Sequence, residues 1–193
     1  RPQWKSWLVR GAYIIMGFGG LITIKLFDSY FGWGLSWLMI PGAMLAILGA
    51  VYTAFLFGQA RGRDLWQSTV LSALHMLVHA VMAGSVAMIV IAPETSAWMA
   101  NVLFLGIILN MCIIAKEILM PHDTPDTRKA IHLMTKGYYS KYFWAGIVFG
   151  SITPIVMINT YADTMTLIAG GMALVGIFLT EFVRIRVDRK SVV

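Results

Sequence analysis

Six long apolar runs dominate this chain and leave few folds open to it. They cover about residues 7–27, 35–58, 70–91, 98–118, 142–158 and 165–183. Each is long enough to cross a hydrocarbon layer of roughly 30 Å, the fifth being the shortest. Lipid offers no partners to backbone amides, so such runs must close their hydrogen bonds internally, as helices. Composition agrees: 59% of residues are hydrophobic and only 12% are charged, against about 25% charged in soluble domains. The expected fold is an all-α integral membrane protein, a bundle of six transmembrane helices forming one domain over residues 1–193. Pro41 and Pro154 fall inside runs and predict kinks that neighbouring helices cover. The clusters Gly17-Phe18-Gly19-Gly20, Gly42-Ala43 and Gly170-Gly171 predict close helix approach. Trp4, Trp7, Trp33, Trp37, Trp66 and Trp98 fall near run ends, where an interfacial belt is expected.

Charge fixes the topology. Call the side holding residue 1 side X and the other side Y. Six crossings give side X Arg1, Lys5, Arg10, Arg61, Arg63, Lys116, Arg128, Lys129, Lys136, Lys141, Arg184, Arg186, Arg189 and Lys190. Side Y keeps only Lys25, which can snorkel from the end of the first span. By the positive-inside rule side X is cytoplasmic. The net charge of +6 therefore reflects topology, and no nucleic-acid partner is expected. Asp28, Glu94, Asn159 and Asp163 are the side-Y polar groups, most of them in loops. The one long side-X connection, Met120–Lys141, mixes prolines with charge. It is expected to be ordered against something and to offer a surface to a soluble partner.

Polar groups inside a bilayer are costly, and function is the first hypothesis for them. Here they gather in the X half. At about 1.5 Å per residue, Tyr52 lies roughly 9 Å from the X end of its span, His75 roughly 8–10 Å and Asn110 roughly 12 Å. His79 is one turn beyond His75 on the same face. Lys116 and Glu117 lie nearer the X surface, with Glu181 at the X end of the last span. The short loop Gln59–Gln67 between the second and third spans holds Arg61, Arg63, Asp64 and Trp66. Simpler roles exist for each: an interhelical hydrogen bond for either histidine, topology for the loop arginines, an interfacial pair for Lys116–Glu117. His122 and His132 read as solvated loop residues, and the methionines as packing.

Several chemistries are set aside. One cysteine, Cys112, leaves no ligand set for an iron–sulfur cluster in this chain. Haem b needs histidines at matched depth on two helices, whereas His75 and His79 share one helix and no other histidine lies within a span. No Gly-rich phosphate loop, nucleophile elbow or HExxH motif is present.

The stretches Tyr52-Thr53-Ala54-Phe55-Leu56 and Gln59-Ala60-Arg61-Gly62-Arg63-Asp64-Leu65-Trp66-Gln67-Ser68 resemble the NrfD/PsrC family. So do Tyr142-Phe143-Trp144-Ala145-Gly146-Ile147-Val148 with the following Gly150 and Pro154. These are polysulfide-reductase-type membrane subunits of molybdopterin oxidoreductase complexes. Pro2–Gly20 looks like the family's third helix, so two further helices are expected upstream of Arg1. The resemblance implies a metal-free, quinone-reactive subunit, with menaquinone or ubiquinone as its cofactor. Its partners would be a four-cluster ferredoxin-like iron–sulfur subunit and, beyond that, a molybdopterin catalytic subunit. Tyr52 matches the tyrosine that contacts the quinone headgroup. Arg63 and Asp64 lie where the family meets its partner, with Arg61, Trp66 and Gln67 beside them. His75 joins the expected quinone site; His79, Asn110, Lys116 and Glu117 form the expected proton path. The expected location is a bacterial or archaeal inner membrane, with both chain ends on the cytoplasmic side. Two alternatives stand beside this reading, a proton- or ion-translocating unit and a purely structural anchor.

Overall fold

The computed structural model describes residues 3–59, 69–120, 124–160 and 163–191, with side chains left out at 163–164 and 188–191. It is helical throughout, with no strand among the described residues. The helices are α1 (Trp7–Phe31), α2 (Met39–Gly58), α3 (Thr69–Ile91), α4 (Ser96–Leu119), α5 (Pro125–Thr135), α6 (Ser140–Ile147), α7 (Thr153–Thr160) and α8 (Asp163–Ser191). Among the described residues six helical segments are long and apolar enough to cross a membrane: Trp7–Phe31, Ser36–Gly58, Thr69–Ile91, Pro93–Leu119, Ser140–Thr160 and Met165–Val187. The expected spans thus hold, most of them extended by a few residues. The described residues divide into two compact units, one within 3–59 and 69–77, the other within 78–191.

In the first unit α1 and α2 form an antiparallel hairpin. Its turn is built by Asp28. The helix ends at Gly32, whose φ of 68° is left-handed and whose amide donates to Asp28 O at 2.8 Å; glycine takes this conformation without a Cβ clash. The Asp28 carboxylate then accepts from the Leu35 amide at 2.9 Å and from Lys25 Nζ. Asp28 is therefore not a loop residue: α1 runs past it and buries it. Lys25 finds its partner within its own helix rather than only in the interface. Pro41 needs no kink, because it falls in the first turn of α2, where an amide has no intrahelical acceptor anyway. At the other end of the hairpin Trp7 stacks on Phe55 with ring centroids 4.5 Å apart. Gln59 ties the start of α1 down, accepting from Trp7 N at 3.2 Å and donating to Lys5 O at 3.4 Å.

The second unit packs around an apolar core towards the Y side. Met82, Val86, Ile89, Leu103, Ile107 and Ala173 are buried there, from the later turns of α3, the earlier turns of α4 and α8. Pro154 sets the shape of the fifth span. A proline ring collides with the carbonyl four residues back and has no amide to give. The chain answers with a π turn, Val148–Ile152, between α6 and α7. The Val148 carbonyl then receives both the amide and the hydroxyl of Thr153, the latter at 3.0 Å. That turn lies against α8 at its closest point: a Cβ on Gly150 would stand 2.2 Å from Gly176 Cα. This contact was not among those expected. Of the clusters that were, Gly19, Gly20, Gly42 and Gly171 have nothing within 4 Å of a Cβ position among the described residues, while Gly17 and Gly170 meet Leu45 and Val86.

The side-X segment between α4 and α6 is ordered, as expected, in part as the amphipathic helix α5. Thr124 caps it by accepting from Thr127 N at 3.3 Å, Pro125 opens it, and Thr127, Ala130 and Met134 are its buried face. Trp144 Nε1 of α6 donates to Thr135 O at 3.0 Å and pins its far end. Trp4, Trp33, Trp37 and Trp98 are exposed, as a belt requires.

Candidate functional site

The second unit holds a ladder of buried polar groups in its X half. It begins at His79, ten residues into α3 and so about 15 Å along the helix from its X end. His79 Nε2 donates to Asn110 Oδ1 of α4 at 3.0 Å, which directs the opposite ring nitrogen elsewhere. His79 Nδ1 lies 3.9 Å from Glu181 Oε1 of α8. That is ion-pair range and too long for a direct hydrogen bond; a small rotation of ring or carboxyl closes it. Glu181 also accepts from Arg184 Nη1 at 2.8 Å, one helical turn nearer side X. Arg184 Nη2 donates to Glu117 Oε1 of α4 at 2.7 Å. The ladder thus runs His79–Asn110, Glu181, Arg184, Glu117, and descends from mid-depth to the X end of α4.

Helix periodicity explains the alignment. Asn110 and Glu117 are seven residues apart, two turns of one face. On α8, Thr180 and Arg184 share a face with Glu181 beside it, and Thr180 Oγ1 satisfies itself on the Gly176 carbonyl at 3.0 Å. Asn110, Glu117, His79 and Arg184 are buried. Burial without partners would be prohibitive for such groups, and each of them is paired. The arrangement can hold a proton at His79 or at either carboxylate and can exchange one between His79 and Glu181, while Arg184, a donor only, joins the two carboxylates without relaying a proton.

The sequence expectations meet this geometry unevenly. His79, Asn110 and Glu117 come together through α8, as members of one ladder. Lys116 does not: it is exposed, on another face of α4 from Glu117. Lys116 and Glu117 are therefore not an interfacial pair, since Glu117 turns inward to Arg184. Arg184 corrects the charge reading as well. Counted with the side-X loop charges, it is instead a buried residue of α8, 3% exposed. Glu181, placed at the X end of the last span, and Arg184, counted with the side-X charges, are the ladder residues to which the sequence assigned no site role. Their signal was present, as opposite charges three residues apart at the end of an otherwise apolar span. Tyr52 and His75 belong to the first unit. Tyr52 is half-buried on α2, with its ring lying where a Cβ on Gly11 of α1 would be, 2.3 Å from the nearest ring carbon. His75 is buried in α3, 1% exposed. Arg61, Arg63, Asp64, Trp66 and Gln67 lie outside the described residues.

A family model for NrfD, polysulphide reductase, matches residues 21–186. The chain belongs to the NrfD family. The match takes in every residue of the ladder and Tyr52. No curated protein and no solved structure matches the chain. Membership makes this NrfD protein a membrane subunit of a redox complex, from a family associated in general with quinone and with partner redox subunits.

Proposed function

We propose that this NrfD chain is the quinone-reactive membrane subunit of a respiratory oxidoreductase, exchanging electrons with an iron–sulfur subunit at side X. The observation that carries this reading is the ladder itself, a buried row of paired polar groups with proton-holding members at His79, Glu181 and Glu117, running from mid-depth towards one membrane surface in a quinone-associated family. Interconverting a quinone and its quinol moves two electrons and two protons, so a buried quinone site needs polar groups that connect it to water. Each of the two units, taken by itself, holds residues of a kind that suits that need. Tyr52 offers a phenol hydroxyl that has no hydrogen-bond partner among the described residues and can donate to a headgroup carbonyl. His79 and Glu181 hold and move protons. Asn110 fixes the His79 ring, and Arg184 holds the two carboxylates in line.

The remaining assignments extend the same reading. The quinone is menaquinone or ubiquinone. Side X is cytoplasmic in an inner membrane, and a molybdopterin subunit lies beyond the iron–sulfur subunit. His75 joins Tyr52 at the headgroup. Arg63 and Asp64 form the rim, with Arg61, Trp66 and Gln67 beside the partner. The test is quinol oxidation or quinone reduction by the assembled complex carrying Tyr52→Phe. Loss of turnover with intact subunit composition supports the assignment; full turnover overturns it.

One observation favours a second reading. The ladder reaches about 15 Å from the X end, deeper than scalar proton exchange at a surface site requires. Glu181, His79 and Glu117 would then serve a translocation path. Proteoliposomes separate the two: a pH change beyond that of the quinone couple supports translocation, and its absence leaves scalar exchange alone.

A further inference from the structure

The folded chain sorts its side-X charges in a way that composition does not show. In the second unit Glu117 and Glu181 turn inward and are held by Arg184. Outward remain Lys116, Arg128, Lys129, Lys136, Lys141 and Arg186, with Asp126 as the exposed carboxylate among the described side-X residues of that unit. Helix α5 concentrates this charge. Thr127, Ala130 and Met134 are buried where it packs against α8. A 100° step per residue puts Arg128, Lys129 and His132 on the opposite side, and Lys136 follows at the helix end. The helix is capped by Thr124 and tied by Trp144, so the stripe is presented on a fixed support.

We propose that the outer face of α5 is the docking surface for a soluble redox subunit that presents carboxylates to it. This rests on the reading of the chain as a subunit of a redox complex, and adds where the partner sits and by what chemistry. A lipid-headgroup role fits less well. Helices that bind the membrane surface insert an apolar face at the headgroup level. Here Ala130 and Met134 are buried against the protein and Ile131 and Leu133 are half-buried, while its exposed residues are Pro125, Asp126, Arg128, Lys129 and His132. A charged, water-facing stripe steers an oppositely charged protein and sets the rate of encounter more than the final affinity.

The experiment starts from the complex purified in detergent. Its peripheral subunits are stripped by salt and rebound to membranes carrying wild-type chain, Lys129→Glu/Lys136→Glu or Lys129→Gln/Lys136→Gln. Both lysines are exposed, so folding is not at stake, and the neutral pair checks that. Association of the stripped subunits is followed as a function of ionic strength. The expected result is association slowed about tenfold by the double reversal, less by neutralisation, with a flatter salt dependence in both. Unchanged association in both variants overturns the docking surface while leaving the redox-complex reading intact. Loss of binding to phosphatidylglycerol vesicles with unchanged subunit association also overturns it, in favour of lipid. A wild-type complex from which no redox subunit can be stripped or detected overturns both readings.

Discussion

Arg184 and Glu117 stand 67 positions apart in the chain and 2.7 Å apart in the structure. With Glu181 as the second partner of the same guanidinium, they join α4 to α8 at the X end of the second unit. The forked guanidinium suits this task, because its nitrogens point to two acceptors at once.

Removing one member of a buried ion pair leaves the other charge stranded. Arg184→Leu is expected to destabilise the protein by about 3–5 kcal/mol, read as a lower temperature of thermal inactivation in detergent. Arg184→Lys recovers part of this, since one ammonium cannot reproduce the fork. The triple variant Glu117→Gln/Glu181→Gln/Arg184→Leu is expected to be more stable than Arg184→Leu alone.

Under the proposed quinone reading His79 and Glu181 serve turnover rather than stability. His79→Phe and Glu181→Gln are expected to lower quinone turnover by about a hundredfold, the usual worth of a positioned proton carrier. Asn110→Ala acts through the histidine. It leaves His79 in place but frees its ring, so an intermediate loss is expected, together with an altered pH profile of turnover.

Gly150 and Gly176 allow backbone-to-backbone contact between the π turn and α8. Gly176→Ala would drive a Cβ to within 2.2 Å of Gly150 Cα. Backbone cannot yield as a side chain does, so a loss of roughly 1–3 kcal/mol or more is expected. Gly171→Ala, five residues earlier on the same helix and facing open space, is expected to be neutral or slightly stabilising. Expression level and melting temperature of the pair give a controlled comparison.

Asp28 holds the α1–α2 turn from within the helix. Asp28→Ala removes the acceptor of the Leu35 amide and is expected to loosen the turn. Asp28→Asn keeps an oxygen for that amide and gives up only the charge of the Lys25 pair, so a smaller effect is expected. Protease sensitivity of the hairpin reports the order of the two.

The spans and their number were legible because lipid imposes a one-dimensional rule. An uninterrupted apolar run of sufficient length must become a helix, and loop charge orients it. The depth of His79, Asn110 and Glu117 followed from the helical rise alone. The partner of each did not. Glu117 was read with Lys116, its neighbour in sequence, yet one residue is a 100° turn, and the two side chains face different environments. Arg184 counts among the side-X charges because an arginine near a span end ordinarily marks the surface, whereas α8 continues through Ser191 and Arg184 is buried on it. Clusters such as Gly17–Gly20 signal that close approach is permitted. Only the crossing of real helices shows that it is used at Gly150 and Gly176.

Membrane residence, the number of spans these residues form and the crowding of polar groups into one half could all be read from the order of residues alone. Those properties depend on each residue's own transfer energy and its count along a helix. Tertiary structure decided which charges cancel, where the close contact falls and how a stripe of cations remains on the outside of α5. Those depend on helix rotation and crossing, which bring residues dozens of positions apart within hydrogen-bonding distance.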